Sequence, residues 1–176
     1  MNNPATRSRG PYLARRYNLR IGGHNVIFYK TESETDEHII QKAMVYALYT
    51  PEFGQLLVDV DVDDKYRPDL VKLDDSRRPV FWAECGKISP DKAVKLAKKY
   101  RDTHLVFAKP ARELRRFAEE VREDLADIRR DKPIDMLGLP MEDAERFFDK
   151  DGNVTFSFKD CHKETIETVW HKRKKY

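Results

Sequence analysis

The sequence predicts a mixed α/β sandwich in which helices cover a central sheet, and three observations carry that expectation. Segments with apolar residues at helical spacing alternate with short runs rich in Val, Leu, Phe and Trp that read as strands. Turn formers punctuate the junctions, among them Gly22-Gly23, Ser89-Pro90 and Asp151-Gly152. The chain has 176 residues and is 40% apolar, enough to bury a proper core and suited to one domain.

Taken in order, residues 14–21 and 25–30 form a predicted hairpin around Gly22-Gly23, with Leu19, Ile21, Val26 and Phe28 as its apolar positions. A helix follows, capped by Thr31 or Ser33 with Glu34 or Asp36 as the reciprocal partner. Ile39, Ile40, Ala43, Met44, Ala47 and Leu48 form its buried stripe up to Pro51. Residues 55–63 alternate apolar and acidic side chains, the pattern of a half-exposed strand. Residues 69–74 and 79–85 read as strands that pair antiparallel across the turn Asp74-Asp75-Ser76-Arg77-Arg78-Pro79. Ser89 caps a helix that has Pro90 in its first turn and runs to Tyr100, burying Ala93, Leu96, Ala97 and Tyr100. Residues 103–108 form a short apolar strand. Residues 111–129 form a long helix with Leu114, Phe117, Val121 and Leu125 at helical spacing. After Pro133 a short segment leads into a second helical stretch, 141–148. Lys150-Asp151-Gly152-Asn153 then turns into a final edge strand, 154–158. The order is a strand pair, helix, three antiparallel strands, helix, strand, helix and late edge strand.

No run approaches the roughly 18 apolar residues of a membrane span, and the N-terminus has no apolar signal core. Its Arg-rich start has the composition of a transit peptide but passes early into a strand pattern. Cys85 and Cys161 follow no spaced framework, which fits reduced thiols in a cytoplasm better than a disulfide scaffold or zinc site. The net charge of +3 conceals a segregation. Residues 1–31 contain Arg7, Arg9, Arg15, Arg16, Arg20 and Lys30 with no acid, the chain ends Lys172-Arg173-Lys174-Lys175, and acids dominate between 52 and 75. Basic flanks around an acidic centre suit a metal-dependent enzyme acting on a polyanion, the flanks binding phosphates and the carboxylates holding cations. The ends 1–11 and 171–176 equally fit solvating, disordered tails.

Two acids carry the most specific signal. If the turn is symmetric about Ser76 and Arg77, Leu73 faces Val80, Val71 faces Trp82 and Asp69 faces Glu84, all on one sheet surface. Opposed residues have Cβ atoms about 4.5 to 5.5 Å apart, where like charges destabilise unless a cation neutralises them. The rest of that surface is apolar, an unusual place for spare charges. In a chain that is 37% charged, two acids can also meet by chance on a solvated face, and one residue of slip reverses every side chain.

Pro68-Asp69 leading one strand and Glu84 late in the next, within the order helix, three-strand meander, helix, strand, resembles the PD-(D/E)XK nuclease superfamily. Over nearly its whole length the chain also resembles the YaeQ family of bacterial proteins. The matching features are the opening hairpin, Ser33-Glu34-Thr35-Asp36-Glu37, Pro68-Asp69, Trp82-Ala83-Glu84-Cys85-Gly86 and the closing Asp151-Gly152 turn. The resemblance implies a single restriction-endonuclease-like domain, a central mixed sheet flanked by helices with an N-terminal β-hairpin and a C-terminal edge strand. It makes Asp69 and Glu84 ligands of Mg²⁺ or Mn²⁺, hard ions that prefer carboxylate oxygen, with the carbonyl of Cys85 as a further ligand. Glu37, with Glu34 in reserve, becomes the helix-borne acid that completes the site, although both also suit an ordinary helix N-terminus. The superfamily's lysine belongs two residues after the second acid, where this chain has Gly86. Lys87 stands one further and should point to the opposite face unless Gly86 permits a bulge. Migration of the lysine to the following helix, a variation within the superfamily, makes Lys95 the first candidate and Lys92 the second. Lys92, Lys95 and Lys99 share one helical face, which also reads as a solvated lysine stripe.

Other constellations rank lower. Asp59, Asp61 and Asp63 would align on one strand face, where alternating acids usually serve solubility and edge protection. Cys85 should face away from the acidic pair, and His24, His38, His104, His162 and His171 lack metal-ligand spacing and read as structural or exposed. The leading expectation is a metal-dependent nuclease hydrolysing phosphodiester bonds of DNA or RNA. Its rivals are a nuclease-fold protein with weak or no catalysis that binds nucleic acid in transcription or repair, and a scaffold whose acids bind nothing. The displaced lysine favours the binding protein, and the retained acid pair favours the nuclease.

Overall fold

In the computed structural model, which describes residues 15–166, the opening alternation becomes a two-stranded ribbon. Strands β1 (Arg16–Ile21) and β2 (His24–Tyr29) pair antiparallel across Gly22 and Gly23, both with positive φ as a tight primed turn requires. Tyr17, Leu19, Ile21, Val26 and Phe28 point inward, onto helix α1 (Asp36–Phe53). The expectations for ends 1–11 and 171–176 lie outside the described residues. Thr35, not Thr31 or Ser33, caps α1 by accepting the His38 N–H at 3.1 Å. Thr31 belongs to a preceding turn, where its own N–H donates to Glu34. Pro51 sits inside the last turn of α1, which stops at Gly54.

A six-stranded sheet follows in sequential order: β3 (Leu57–Val58), β4 (Leu70–Leu73), β5 (Pro79–Cys85), β6 (His104–Pro110), β7 (Ile134–Leu139) and β8 (His162–Ile166). The first three strands are antiparallel, β5, β6 and β7 are parallel, and β8 returns antiparallel. Parallel neighbours need crossovers, here α2 (Pro90–Lys99) and α3 (Ala111–Ala126). Both helices cover one face, where Leu96, Phe117 and Val121 meet Trp82, Leu105 and Phe107. Helix α1 and the ribbon cover the other, where Ile40, Ala43 and Met44 meet Phe81, Ala83 and Val106. The molecule therefore has three layers around two apolar seams. No helix among the described residues is long and apolar enough to cross a membrane.

Four expectations need correction. Residues 55–63 are not a strand beyond Leu57 and Val58, because Asp59 and Asp63 take φ values of 51° and 56° that break the extended chain, so the acids 59, 61 and 63 share no strand face. Val71 does oppose Trp82, but a bulge between Lys72 and Leu73 sets Leu73 opposite Pro79, not Val80. Strand β7 replaces the short connecting segment. Its Asp135, Met136 and Gly138 carry little strand propensity, and burial between two strands decides the conformation. The closing edge strand is β8; of 154–158, only Val154 forms a bridge, to Phe148. The stretch Met141–Phe147 is a kinked 3-10 segment.

Asp135 ties these elements together at the amino ends of the parallel strands. Its carboxylate accepts from Tyr49 Oη at 2.7 Å and Thr165 Oγ1 at 2.6 Å and pairs with His104 Nε2 at 2.7 Å, with Lys163 Nζ at 3.2 Å. Burial opposes its charge, yet the bonds from His104, Thr165 and Tyr49 outweigh burial and hold its pKa well below the usual carboxylate range. Asp135→Asn should cost about 3 kcal/mol, the scale of breaking a buried charged pair. A depressed folded pKa contributes stability that is complete above the unfolded value of about 3.9 and declines as pH falls below it. Urea unfolding of both proteins between about pH 3 and 6 should therefore show their stability difference shrinking toward the acid end.

Candidate active site at the carboxyl ends of the parallel strands

Because β5 and β6 run parallel, their carboxyl ends lie together, and Asp69, just ahead of antiparallel β4, reaches the same end of the sheet. The first turns of α1 close the opposite side, leaving a pocket of about 490 Å³. Open α/β sheets hold ligands at this edge.

Glu84 is 5% exposed; its Oε1 accepts from Trp82 Nε1 at 2.9 Å and its Oε2 from Lys92 Nζ at 2.6 Å. Burial raises its pKa, the negative charge of Asp69 adds to the rise, and Lys92 and Trp82 offset only part of it. Asp69 Oδ2 accepts from the Cys85 N–H at 2.7 Å, while Oδ1 lies 3.1 Å from His38 Nε2, off the line of a hydrogen bond. The β4–β5 ladder ends at Leu70 opposite Ala83, and the Asp69 N–H donates to Ala83 O at 3.1 Å. The ladder stops one pair short of Asp69 and Glu84, in the register that would oppose them, and the two carboxylates enter one pocket with different supports, α1 for Asp69 and α2 for Glu84.

The lysine order is the reverse of the sequence ranking. Lys92 stands on Glu84, whereas Lys95 is exposed, pairs with Asp91 at 2.5 Å and does not line the pocket. Lys99 turns to Asp64 at 2.6 Å. Lys87 is exposed on the pocket rim. Glu37 lines the wall, where it faces Arg112 at 3.6 Å and not the acid pair. The Cys85 thiol packs with the core on the α1 side, opposite Glu84, and burial pushes its pKa far above the usual value. A thiol so held is inert, and only the backbone of Cys85 serves the site.

Gly86 stands where the strand leaves the sheet beside the pocket. Its φ of 77° is left-handed, and a Cβ there would lie 2.9 Å from Gln41 Oε1 and 3.7 Å from His38 Cδ2. Any side chain there is strained.

Sequence reasoning missed three residues of α1. Lys42 is fully buried, with its Nζ 2.5 Å from Glu34 Oε1 and 2.8 Å from Asp59 Oδ2. Burial works against its ammonium, but Asp59 and Glu34 outweigh burial and raise its pKa. His38 Nδ1 lies 3.2 Å from Glu34 Oε1, so a chain of polar contacts runs Asp59, Lys42, Glu34, His38, Asp69; burial lowers the pKa of His38, but Asp69 and Glu34 outweigh it and raise it. Gln41 lies on the same pocket wall. The signal was present as helical spacing from Glu34, since positions 34, 38 and 41 share a face. His38 and His104 are therefore neither spare nor exposed, and Glu34 is more deeply engaged than Glu37.

The donors present suit a hard divalent cation. Among the described residues no three His, Cys, Asp or Glu side chains are grouped for a metal. The pocket, whose walls also carry Glu34, Glu37 and Glu113, instead offers the carboxylates of Asp69 and Glu84 and the buried Gln41 Oε1, which has no hydrogen-bond partner. Magnesium commonly binds through one or two carboxylates, with water and substrate phosphate completing its octahedron, and manganese shares that preference for oxygen.

No family model and no curated protein matches the chain. Among solved structures, its fold is similar to that of the YaeQ protein from Xanthomonas axonopodis pv. citri, with a TM-score of 0.56 and 17% identity over 81% of this chain and 82% of that one. It is also similar to the YaeQ protein from Pseudomonas syringae, with a TM-score of 0.54 and 18% identity over 84% of this chain and 89% of that one. At these identities the likeness is one of fold.

Gly86→Lys should lower stability by about 1–2 kcal/mol through its left-handed backbone alone, and Gly86→Ala should lower it as much. Urea midpoints of the two variants check that the cost lies in any side chain at 86, not in the charge.

Proposed function

We propose that the chain is a member of the YaeQ family within the PD-(D/E)XK nuclease superfamily, and that it hydrolyses phosphodiester bonds of nucleic acid with Mg²⁺ or Mn²⁺. The single observation that carries this reading is Lys92 on Glu84, 2.6 Å away, in the pocket shared with Asp69. It supports a restriction-endonuclease-like core in which the lysine has moved from the strand to the following helix. The likeness of fold to two YaeQ proteins supports the family.

In this proposal Asp69, Glu84 and the carbonyl of Cys85 hold the cation. A cation held there supplies an activated water and charge stabilisation for the phosphate. Lys92 compensates the buried Glu84 and presents an ammonium at the pocket. The Cys85 N–H and His38 fix the carboxylate of Asp69. Glu37, beside Arg112, is the helix-borne acid of the pocket wall, and Arg67 and Lys87 give the rim positive charge that suits a phosphate backbone.

A second reading, a nucleic-acid-binding protein without catalysis, is favoured by one observation: no third acid side chain joins Asp69 and Glu84 in a metal-sized group among the described residues. Cleavage assays with Mg²⁺ and Mn²⁺ on single-stranded, duplex and branched substrates separate the two. Asp69→Asn, Glu84→Gln and Lys92→Met should each slow cleavage about 100-fold or more, as losing a transition-state-stabilising group does. Lys95→Ala should leave it unchanged. Activity that survives the first two changes refutes the mechanism, and salt-sensitive binding without cleavage supports the second reading.

A further inference from the structure

The outward face of the β1–β2 ribbon takes no part in the pocket. Its registered pairs Arg16 with Tyr29, Asn18 with Ile27 and Arg20 with Asn25 all point to solvent. The face has no acid of its own, and neither arginine has a carboxylate partner among the described residues. Asp151 lines the hollow beside Arg20, Asn18 and Ile27. Tyr29 is 61% exposed and Ile27 39%, unusually open for large apolar groups, and the Arg16 guanidinium lies 6.0 Å from the Tyr29 ring centroid.

We propose that this face docks duplex DNA, with the ribbon entering the major groove. Three features select that partner. Two exposed guanidinium groups that form no ion pair among the described residues, on a face that carries no acid itself and has Asp151 at its margin, complement a polyanion. The residue types match base edges: arginine bonds guanine, asparagine bonds adenine, and exposed apolar groups meet the thymine methyl. The major groove of B-form DNA, about 12 Å wide, admits a two-stranded ribbon, whereas that of A-form RNA is too narrow for side chains to read.

The ribbon is also fastened to the pocket. Tyr17 Oη donates to Asp36 Oδ1 at 2.7 Å and Lys30 Nζ lies 2.7 Å from the same carboxylate, joining the ribbon's open end to the first turn of α1. The next two residues, Glu37 and His38, line the pocket. As a statement about substrate class, the proposal rests on the hydrolytic reading above, and it names duplex DNA as what that pocket receives.

Fluorescence anisotropy of the full chain with a short labelled duplex, in EDTA so that nothing is cleaved, tests the docking alone. Arg16→Ala with Arg20→Ala should weaken duplex binding at least about tenfold, with the slope of log K against log salt falling by about one to two. Both side chains are exposed, so the urea midpoint should stay at that of the wild type. A duplex RNA of the same sequence should bind more weakly. Unchanged affinity in the arginine variant overturns the proposal, as does duplex RNA bound as tightly as DNA, or a wild type that binds no duplex DNA. A chain that docks DNA through the ribbon yet never cleaves it refutes hydrolysis and leaves the ribbon surface standing. Cleavage with binding indifferent to Arg16 and Arg20 does the reverse.

Discussion

A carboxylate taken out of water must be met by charge or by donors, and this constraint arranges the whole carboxyl end of the sheet. Glu84 lies at the end of a face lined by Trp82, Leu105 and Phe107, where burial opposes its charge and Lys92 from α2 and the indole of Trp82 from β5 offset part of that cost. Asp69 is met from the other layer, by His38 and by a backbone donor. The positions of α1 and α2 relative to the sheet are therefore fixed at this end by electrostatics as much as by packing.

The amino end of the sheet obeys the same rule with a different outcome. Asp135 is surrounded by four partners from α1, β6 and β8, so that none of its capacity is left for a ligand. Glu84 and Asp69 have fewer donors and border open space. Saturation at one end and incompleteness at the other distinguish an anchor from a site, although both are buried acids.

Much of this was legible in the sequence. Strong period and caps located β1, β2, α1, α2 and α3, and the two acids were found because a hairpin with clear turn chemistry joined them. What failed did so for local reasons. The alternation of 55–63 reads as a strand, but Lys42, hidden inside α1, draws Asp59 inward and the chain turns. Strand β7 depends on burial, which composition around Asp135 and Gly138 disguises. The choice between Lys92 and Lys95 was undecidable from spacing, because both occupy one stripe and only the approach of α2 to β5 selects the nearer. His38 and Gln41 looked ordinary because a helix position acquires a role only when its neighbour across the gap is known.

The left-handed backbone at Gly86 has a consequence for how this end of the sheet can vary. Any side chain there meets the cost of the main-chain conformation first and only then displaces the Gln41 amide, the end of a flexible side chain, so what bars a charge from the strand's exit is the turn itself and not the bulk of the first helix.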